Sequence, residues 1–416
     1  MARPIVRESA QVTGLGVVSA AGSDLETFWG AILSGRPTTT VVPALHDSMI
    51  RLGHAVPDGD LDDTVDISVR SRADRFIQLA IAAARKAFED AGLSEDEVSD
   101  LRTAVVIGNS LGGVSTMEVL DRTVRDEGER FVSPLTLPAA INNMAAGYIA
   151  MELGCHGPAY VVSTACASST DALGLAMKLI RSGECDLVIA GGTEAALTAP
   201  VTAAFHRMGA IDRSVRAPGG GSRAFASDRS GFTLGEAAAI LVVESATSAA
   251  RRGARTYAEI TGYAATNDAY HVTSPEPEGQ WYRQAIVGAV ADAGIGLHQL
   301  DYWNLHGTGT VMNDAVETKV VNSLVGEKVP VSTTKPVTGH CLGAAGAVEA
   351  VVALLSILHE AIPPNGNGLD LDPALNPIDL VTIPRTGRVN YAMSSSLGFG
   401  GHNAAVVFAK TERTRP

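Results

Sequence analysis

VVSTACASSTDALGLAMKLIRSGECDLVIAGG, residues 161 to 192, reads as strand, turn, helix and strand without a break. Tyr160, Val161 and Val162 form a short apolar strand, and Thr164 and Ala165 carry the chain through a small-residue turn to Cys166. Ala172, Leu175, Ala176, Leu179 and Ile180 then recur at helical spacing, which buries one face. Ser168, Ser169 and Asp171 fall in the first turn, where side-chain oxygens cap free N–H groups. Gly183 closes the helix, and Asp186 to Gly192 makes a second buried strand. A cysteine at such a junction meets free N–H groups and the positive end of a helix dipole, and both favour a thiolate. The stretch therefore predicts an α/β unit that presents a nucleophile.

Composition narrows the partners. The chain has 416 residues, enough for two or three domain-sized units, with 46% hydrophobic and 19% charged residues. A net charge of −13 argues against nucleic acid or an anionic membrane as the main partner. Cys155, Cys166, Cys185 and Cys341 show no CxxC spacing, which argues against a disulfide framework or zinc site and suits a reducing cytoplasm. No apolar run is read as approaching the roughly 18 residues that span a bilayer. Arg3 and Arg7 ahead of VTGLGVVSAAG imitate a signal peptide, but the segment is rich in Gly and Asp24 and Glu26 follow it. It reads as strand and turn of a cytoplasmic protein.

Strands and helices alternate along the chain. Gln11–Val18 is the first core strand, Arg72–Ala91 an amphipathic helix ended by Gly92, and Thr103–Gly108 a strand followed by Asn109-Ser-Leu-Gly-Gly113. Residues 114 to 153 form a long helical insertion. In the second half Tyr257–Tyr263 and Asp301–Leu305 read as strands, Gln280–Ala293 and Gly343–His359 as helices, and Tyr391–Ser396 and Ala404–Phe408 as closing strands. The alternation suggests parallel sheet covered by helices. VVSTACASSTDALGLAMKLI and PVSTTKPVTGHCLGAAGAVEAVVALLSIL share strand, turn and buried helix, and AVVIGNSLGG pairs likewise with YWNLHGTGT. The chain reads as a degenerate duplication: residues 1–255 carrying the cysteine, 256–416 carrying the histidines.

Four motifs end strands in corresponding places: Cys166, His306 in HGTGT, Lys335 with His340 in KPVTGH, and the GFGG turn at 398 to 401. Strand ends in α/β sheets converge on one crevice. A cysteine with two histidines suits acyl transfer and carbon–carbon bond formation through a thioester, with neutral imidazoles donating to an enolate oxygen. Lys335 can hold charge in the histidine network, with Glu349 on the same stretch, and no metal is required. Thr308 and Thr310 are either turn hydroxyls or contacts to an extended polar cofactor arm. Gly400 and Gly401 make a tight turn, and the Phe399 N–H is placed to complete an oxyanion hole. Cys155, Cys185 and Cys341 read as buried hydrophobes, and His54, His156, His206, His298 and His359 as ordinary core or surface residues.

Taken together, TACASS, HGTGT, KPVTGH and GFGGHN resemble the β-ketoacyl-[acyl-carrier-protein] synthases, the elongating ketosynthases of fatty acid and polyketide synthesis. The resemblance runs from VTGLGVVSAAG through ADRFIQLAIAAARKAFEDAGL to GFGGHNAAVVFAK. It implies an α/β thiolase fold, a duplicated five-layer αβαβα core, acting as a dimer. It also implies a ping-pong condensation: Cys166 takes an acyl chain from the phosphopantetheine of an acyl carrier protein. His306 and His340 then assist decarboxylation of malonyl-carrier protein, whose enolate attacks the acyl-Cys. No bound cofactor is expected. Cys166 and Phe399 N–H groups would form the oxyanion hole, with Phe399 also as gate. Lys335 and Glu349 match the supporting ion pair, and Thr273, Thr308 and Thr310 match pantetheine contacts. Leu111 matches an acyl-pocket position.

Departures from the family pattern are local. DRSGF has Ser230 where an acidic residue is usual, though Glu236 is retained, and Leu397 replaces an aromatic residue before GFGG. Gly209 and Ala210 stand where an arginine is expected, leaving Arg70, Arg72 and Arg213 as candidates for docking an acidic carrier. Asp171, five residues after Cys166, resembles the ketosynthase subunits of discrete (type II) polyketide and polyene systems, which pair with a chain-length factor. DAYHVTSP and SLGFGGHN look like housekeeping fatty acid synthases, which form homodimers. A non-catalytic chain-length partner would lack Cys166 and the histidines, and a thiolase would carry a second late cysteine.

Overall fold

Two runs of five strands follow one plan. β1 (Ala10–Ser19), β2 (Thr103–Gly108), β3 (Ala159–Val162), β4 (Leu187–Glu194) and β5 (Ala237–Ser245) lie in the spatial order β1-β5-β4-β2-β3. β6 (Ala258–Asn267), β7 (Tyr302–Asn304), β8 (Pro330–Ser332), β9 (Tyr391–Gly398) and β10 (His402–Ala409) lie as β6-β10-β9-β7-β8. Strand directions repeat as well, antiparallel over the first two pairs and parallel over the last two. The halves join where Ala10–Val12 pair with Ala258–Ile260, and Asp379–Leu380 extends the far edge, giving one 11-stranded sheet. The expected parallel sheet is thus mixed. Only Phe399, Gly400 and Gly401 separate β9 from β10, far too few for the crossover that parallel strands need. This computed structural model describes residues 8–62, 64–99, 101–366 and 371–412, so Arg3 and Arg7 lie outside the described residues.

Helices add three layers. α1 (Arg75–Ala91) covers the outer face of the first half; α2 (Ser168–Arg181) lies between the halves; α3 (Gln280–Asp292) and α4 (Val311–Val325) cover the outer face of the second; α5 (Ala345–His359) lies beside α2. The result is the αβαβα stack of the thiolase fold, with one apolar core between the halves and one under each outer layer. Close approach of α1 is set by glycine: a Cβ at Gly14 or Gly16 would stand 2.3 and 2.0 Å from the carbonyl oxygens of Ala87 and Ala83. α1 begins at Arg75 rather than Arg72 because the Asp74 carboxylate accepts the Phe76 N–H and fixes the start there.

Three further expectations are corrected. The insertion at 114–153 is broken into Val114–Asp126, Thr136–Ala140 and Met144–Leu153. Ser168, Ser169 and Asp171 do not cap α2: Ser168 donates to Ala165 O (2.6 Å), Ser169 Oγ accepts from Ala347 N (2.9 Å) and Asp171 accepts from Thr164 Oγ1 (2.5 Å) and Tyr263 OH (2.8 Å). Their oxygens tie the turn and the opposite half instead. Finally, Leu342–His359 is 18 residues long and apolar enough on average to cross a bilayer, but 89% of it is buried as the core helix α5 and its lead-in. No other helix among the described residues reaches that length and hydropathy.

Candidate active site

Cys166 lies in a one-turn 3-10 segment, Ala165–Ala167, between β3 and α2. Ala165 has φ +52°, a left-handed conformation that bends the chain sharply enough to aim the sulfur out of the strand–helix corner. Gly398 at the end of β9 packs against this elbow, where a Cβ would stand 2.6 Å from Thr164 O and 3.2 Å from Cys166 N. That closeness lets the Phe399 N–H bond to the Cys166 sulfur.

His340 Nε2 is 3.1 Å from Cys166 Sγ. His306 stands across from it, ring centroids 5.4 Å apart and planes at 85°. All three are buried, and their ligand-type atoms lie within 4.8 Å of one another. Lys335 donates to His306 O (2.5 Å), lies 3.3 Å from His306 Nδ1 and pairs with Glu349. An ammonium at Nδ1 makes that nitrogen the acceptor and leaves the His306 proton on Nε2, toward the cavity. Glu317, on α4, accepts from His306 N (2.6 Å), Gly307 N (2.8 Å) and Tyr282 OH (3.1 Å) and so fixes the HGTGT turn.

Burial sets the protonation states. It pushes the Cys166 thiol up to about 12, outweighing the Lys335 charge and the Phe399 N–H, while Glu194 and Glu349 add to the rise. The expected resting thiolate is therefore a thiol: a fixed N–H and helix dipole do not match the cost of dehydrating the sulfur anion. Burial and the Lys335 charge hold both His306 and His340 neutral. Burial also raises the Glu349 carboxyl to about 6, Asp314 to about 6 and Glu317 to about 7.

A cavity of about 430 Å³ opens from Cys166, His306 and His340 to the surface. Thr273, Thr308, Thr310 and Phe399 line it, with Phe205, Phe232, Leu397 and Ser230. The Thr308 and Thr310 hydroxyls are 2.9 Å apart, and Phe232 meets His340 edge-on at 4.9 Å. Other candidates fall outside the lining. Gly400 donates its N–H to Val272 O (2.9 Å), and its neighbour Gly401 lines the cavity. Leu111 is 39% exposed on another face of the loop after β2. Glu236 is bound to Arg75 (2.9 and 3.0 Å) and Val56 N (2.9 Å); it fixes the segment whose Gly235 N–H donates to His340 O (3.1 Å). Arg70 is paired with Asp62, while Arg72 and Arg213 are exposed.

Sequence reading missed several groups. Asp314 and Glu317 stand three apart on the helix after HGTGT, a spacing that turns both toward the preceding loop; Asp314 accepts from Gly309 N (3.1 Å) and Phe225 N (2.7 Å). His54, by contrast, is the satisfied core histidine the sequence reading took it for, held between Thr38 Oγ1 (3.0 Å) and Thr233 Oγ1 (2.8 Å). Phe205 and Phe232 carry no local signal, since only tertiary packing brings them to the cavity.

A doubled α/β sheet presenting one buried cysteine to two neutral imidazoles defines a condensing acyltransferase. Comparison places it further. Family models described as "Beta-ketoacyl synthase, N-terminal domain" and "Beta-ketoacyl synthase, C-terminal domain" match residues 7–249 and 257–368. The chain is 39% identical over 409 residues to 3-oxoacyl-[acyl-carrier-protein] synthase 2 of Staphylococcus aureus strain COL, covering 96% of this chain and 98% of that one. Among solved structures it is similar to the ishigamide ketosynthase/chain length factor, with TM-score 0.90 and 31% identity over 98% of this chain and 100% of that one. It is also similar to a chain of AntDE:AntF, a type II polyketide synthase carrier protein in complex with its ketosynthase, with TM-score 0.87 and 28% identity over 97% and 100%. The chain belongs to the β-ketoacyl synthase family.

Proposed function

We propose that this chain is the catalytic subunit of a discrete (type II) polyketide or polyene ketosynthase, working on substrates tethered to an acyl carrier protein through phosphopantetheine. The observation that carries the chemistry is the 3.1 Å approach of His340 Nε2 to the Cys166 sulfur at the floor of a cavity lined by threonine hydroxyls. Cys166 attacks the carrier thioester as its thiol proton passes to the departing carrier sulfur, so it takes the acyl group, the carrier leaves as its thiol, and both imidazoles keep their Nε2–H. Malonyl-carrier protein then enters. Its carboxylate leaves as CO2, and Nε2–H donors of His306 and His340 stabilise the enolate oxygen. The enolate carbon attacks the acyl-Cys carbonyl, whose oxyanion meets the N–H groups of Cys166 and Phe399. Collapse expels the Cys166 sulfur as a thiolate, which takes up a proton from water entering the emptied cavity to restore the thiol, leaving a β-ketoacyl-carrier. Thr273, Thr308 and Thr310 would receive the pantetheine arm, and Leu111 would influence chain length from the subunit boundary.

The carrier would dock on the basic segment beside the mouth. Arg207, Arg213 and Arg216 are exposed and have no ion-pair partner among the described residues, and Met208, Gly209 and Ala210 between them line the opening. In a chain of net charge −13 this is a local attractor for an acidic partner. Replacing Arg213 and Arg216 together by Glu is expected to raise KM for the carrier substrate about tenfold with kcat little changed, and to flatten its salt dependence. A second subunit would cover the apolar face around the edge strand β3, where Tyr160, Phe131, Leu135, Leu137 and Ile141 are all more than 40% exposed. The proposed location is the cytoplasm, in keeping with four free cysteines.

Asp171 and the likeness to ketosynthase/chain-length-factor structures favour the polyketide reading. The 39% identity with a 3-oxoacyl-[acyl-carrier-protein] synthase 2 favours housekeeping elongation in a homodimer. The test is intact mass after acyl-carrier and then malonyl-carrier protein, with and without Cys166→Ala. Acylation that disappears in the variant, followed by β-ketoacyl-carrier, is the expected result. No acyl-enzyme under any condition would overturn the catalytic reading in favour of a non-catalytic partner. Turnover of saturated primers by the chain alone would favour housekeeping elongation, and turnover only with a co-expressed partner the polyketide reading.

A further inference from the structure

The elbow that carries Cys166 has a degenerate twin. Ala165–Ala167 is a 3-10 turn leading into α2, with Ala165 at φ +52°; Leu342–Ala344 is a 3-10 turn leading into α5, with Leu342 at φ +46°. The correspondence sets Gly343 opposite Cys166, so the twin has no nucleophile. Its backbone N–H is still aimed inward, and what it meets is a carboxylate. Glu194, the last residue of β4 and fully buried, accepts from Gly343 N (3.1 Å), Ser110 N (3.0 Å), Leu111 N (3.2 Å) and Asn109 Nδ2 (3.2 Å), and also from the Ser110 hydroxyl. A side chain on Gly343 would close the place: a Cβ there would stand 2.8 Å from Glu194 Oε2 and 2.6 Å from Ser110 N.

We propose that Glu194 is a positioning residue for the condensation, its carboxylate filling the anion hole of the second elbow and locking the loop at 109–111 to the turn that follows His340. The two segments so joined are those with separate parts in the reaction. Leu342 to Ala344 follow His340 by two residues, and the loop carries Leu111. No other side chain among the described residues bonds to both segments. Five donors hold the carboxylate in place, and its charge opposes ionisation of the nearby thiol, an influence that burial of the pair strengthens. The charged and titratable groups around Cys166 are His340, His306, Lys335, Glu349 and Glu194. Replacing the last by Gln keeps the shape, removes the charge, and turns an NH2 group toward donors that need an acceptor.

The test uses the full-length enzyme as Glu194→Gln and, separately, Ser110→Ala. Steady-state decarboxylation of malonyl-carrier protein reads the histidine side, so this part rests on the proposed function. Alkylation by iodoacetamide, mapped on all four cysteines, does not depend on it. Glu194→Gln is expected to lower kcat for decarboxylation at least tenfold with KM within twofold. It should also raise Cys166 alkylation at pH 8 at least threefold while Cys155, Cys185 and Cys341 stay protected. Ser110→Ala, which keeps the carboxylate, should lower kcat three- to fivefold and leave alkylation unchanged. A folded Glu194→Gln enzyme with kcat within twofold and unaltered Cys166 reactivity overturns the proposal, as does a uniform rise in reactivity of all four cysteines. Should Glu194→Gln not fold, Ser110→Ala decides, and kcat within twofold of wild type rejects the role. If wild type does not decarboxylate malonyl-carrier at all, the functional reading fails and Cys166 alkylation alone judges Glu194.

Discussion

Lys335 shows how a single buried charge is tolerated and used. It is 1% exposed and pairs with Glu349, which is itself 2% exposed, while spending its other protons on His306. Removing only Glu349 strands an ammonium in the core, a loss of about 3–5 kcal/mol for a buried pair broken on one side. Glu349→Leu should therefore unfold at markedly lower denaturant, and Lys335→Met with Glu349→Leu should recover most of that stability without recovering decarboxylation. Equilibrium urea unfolding beside a malonyl-carrier assay separates the two. Recovery of activity in the double variant would show the charge to be dispensable to chemistry. At this scale the sequence was informative where residue type is rare in context: Cys166, His306, His340 and Lys335 each stand in a short motif. It misjudged the resting state, favouring a thiolate, because hydration is lost only when the two halves close over the sulfur.

The elbow and the β1–α1 contact show what elements demand. Ala165 holds a left-handed φ, tolerable for Ala and costly for a β-branched residue by about 1–3 kcal/mol. Ala165→Gly is expected to fold and acylate near the wild-type rate, whereas Ala165→Val should lose at least tenfold in acylation of Cys166, read by quenched-flow mass spectrometry. Gly16→Ala would push α1 off the sheet, since the new carbon has nowhere to go beside Ala83 O. Overpacking of this kind costs about 1–3 kcal/mol, and a thermal shift several degrees down should show it. Element existence was legible from periodicity: α1, α2 and α5 sit where apolar spacing put them. Boundaries and partners were not. The α1 start moved to the Asp74 cap, and the oxygens at the head of α2 bond across to Thr164, Tyr263 and Ala347, all contacts distant from simple capping rules.

Across the whole molecule, opposed buried titrations shape the response to pH. His54, His306 and His340 have folded pKa values below the unfolded value of 6.5, His54 falling to about 3. The unfolded chain therefore takes up their protons first, and their stabilisation is lost as pH falls below 6.5. Asp314, Glu317 and Glu349 are raised to about 6, 7 and 6, so the native state takes up those protons first and gains stability as pH falls from 7 toward 4.5. The two groups oppose each other between pH 6.5 and 4.5, and stability there should be nearly flat. Below 4.5 the glutamate gain is complete and that of Asp314 ends by 3.8, while the histidine loss continues toward the folded values, so unfolding free energy should drop steeply. Chemical denaturation at half-unit pH steps checks this, and a steady decline starting at pH 6.5 would contradict it.

The sequence by itself determined the class of fold and singled out Cys166, His306 and His340, which the structure brings to one cavity, because motif chemistry and apolar period are local properties written in neighbouring residues. Tertiary structure alone decided which strands run antiparallel, that burial holds Cys166 as a thiol, that Phe232 lines the cavity, and that Glu317 and Glu194 bind the turns carrying His306 and following His340. Each of these depends on which surfaces lose water and which distant donors meet an acceptor, and burial and long-range hydrogen bonding exist only once the halves have packed.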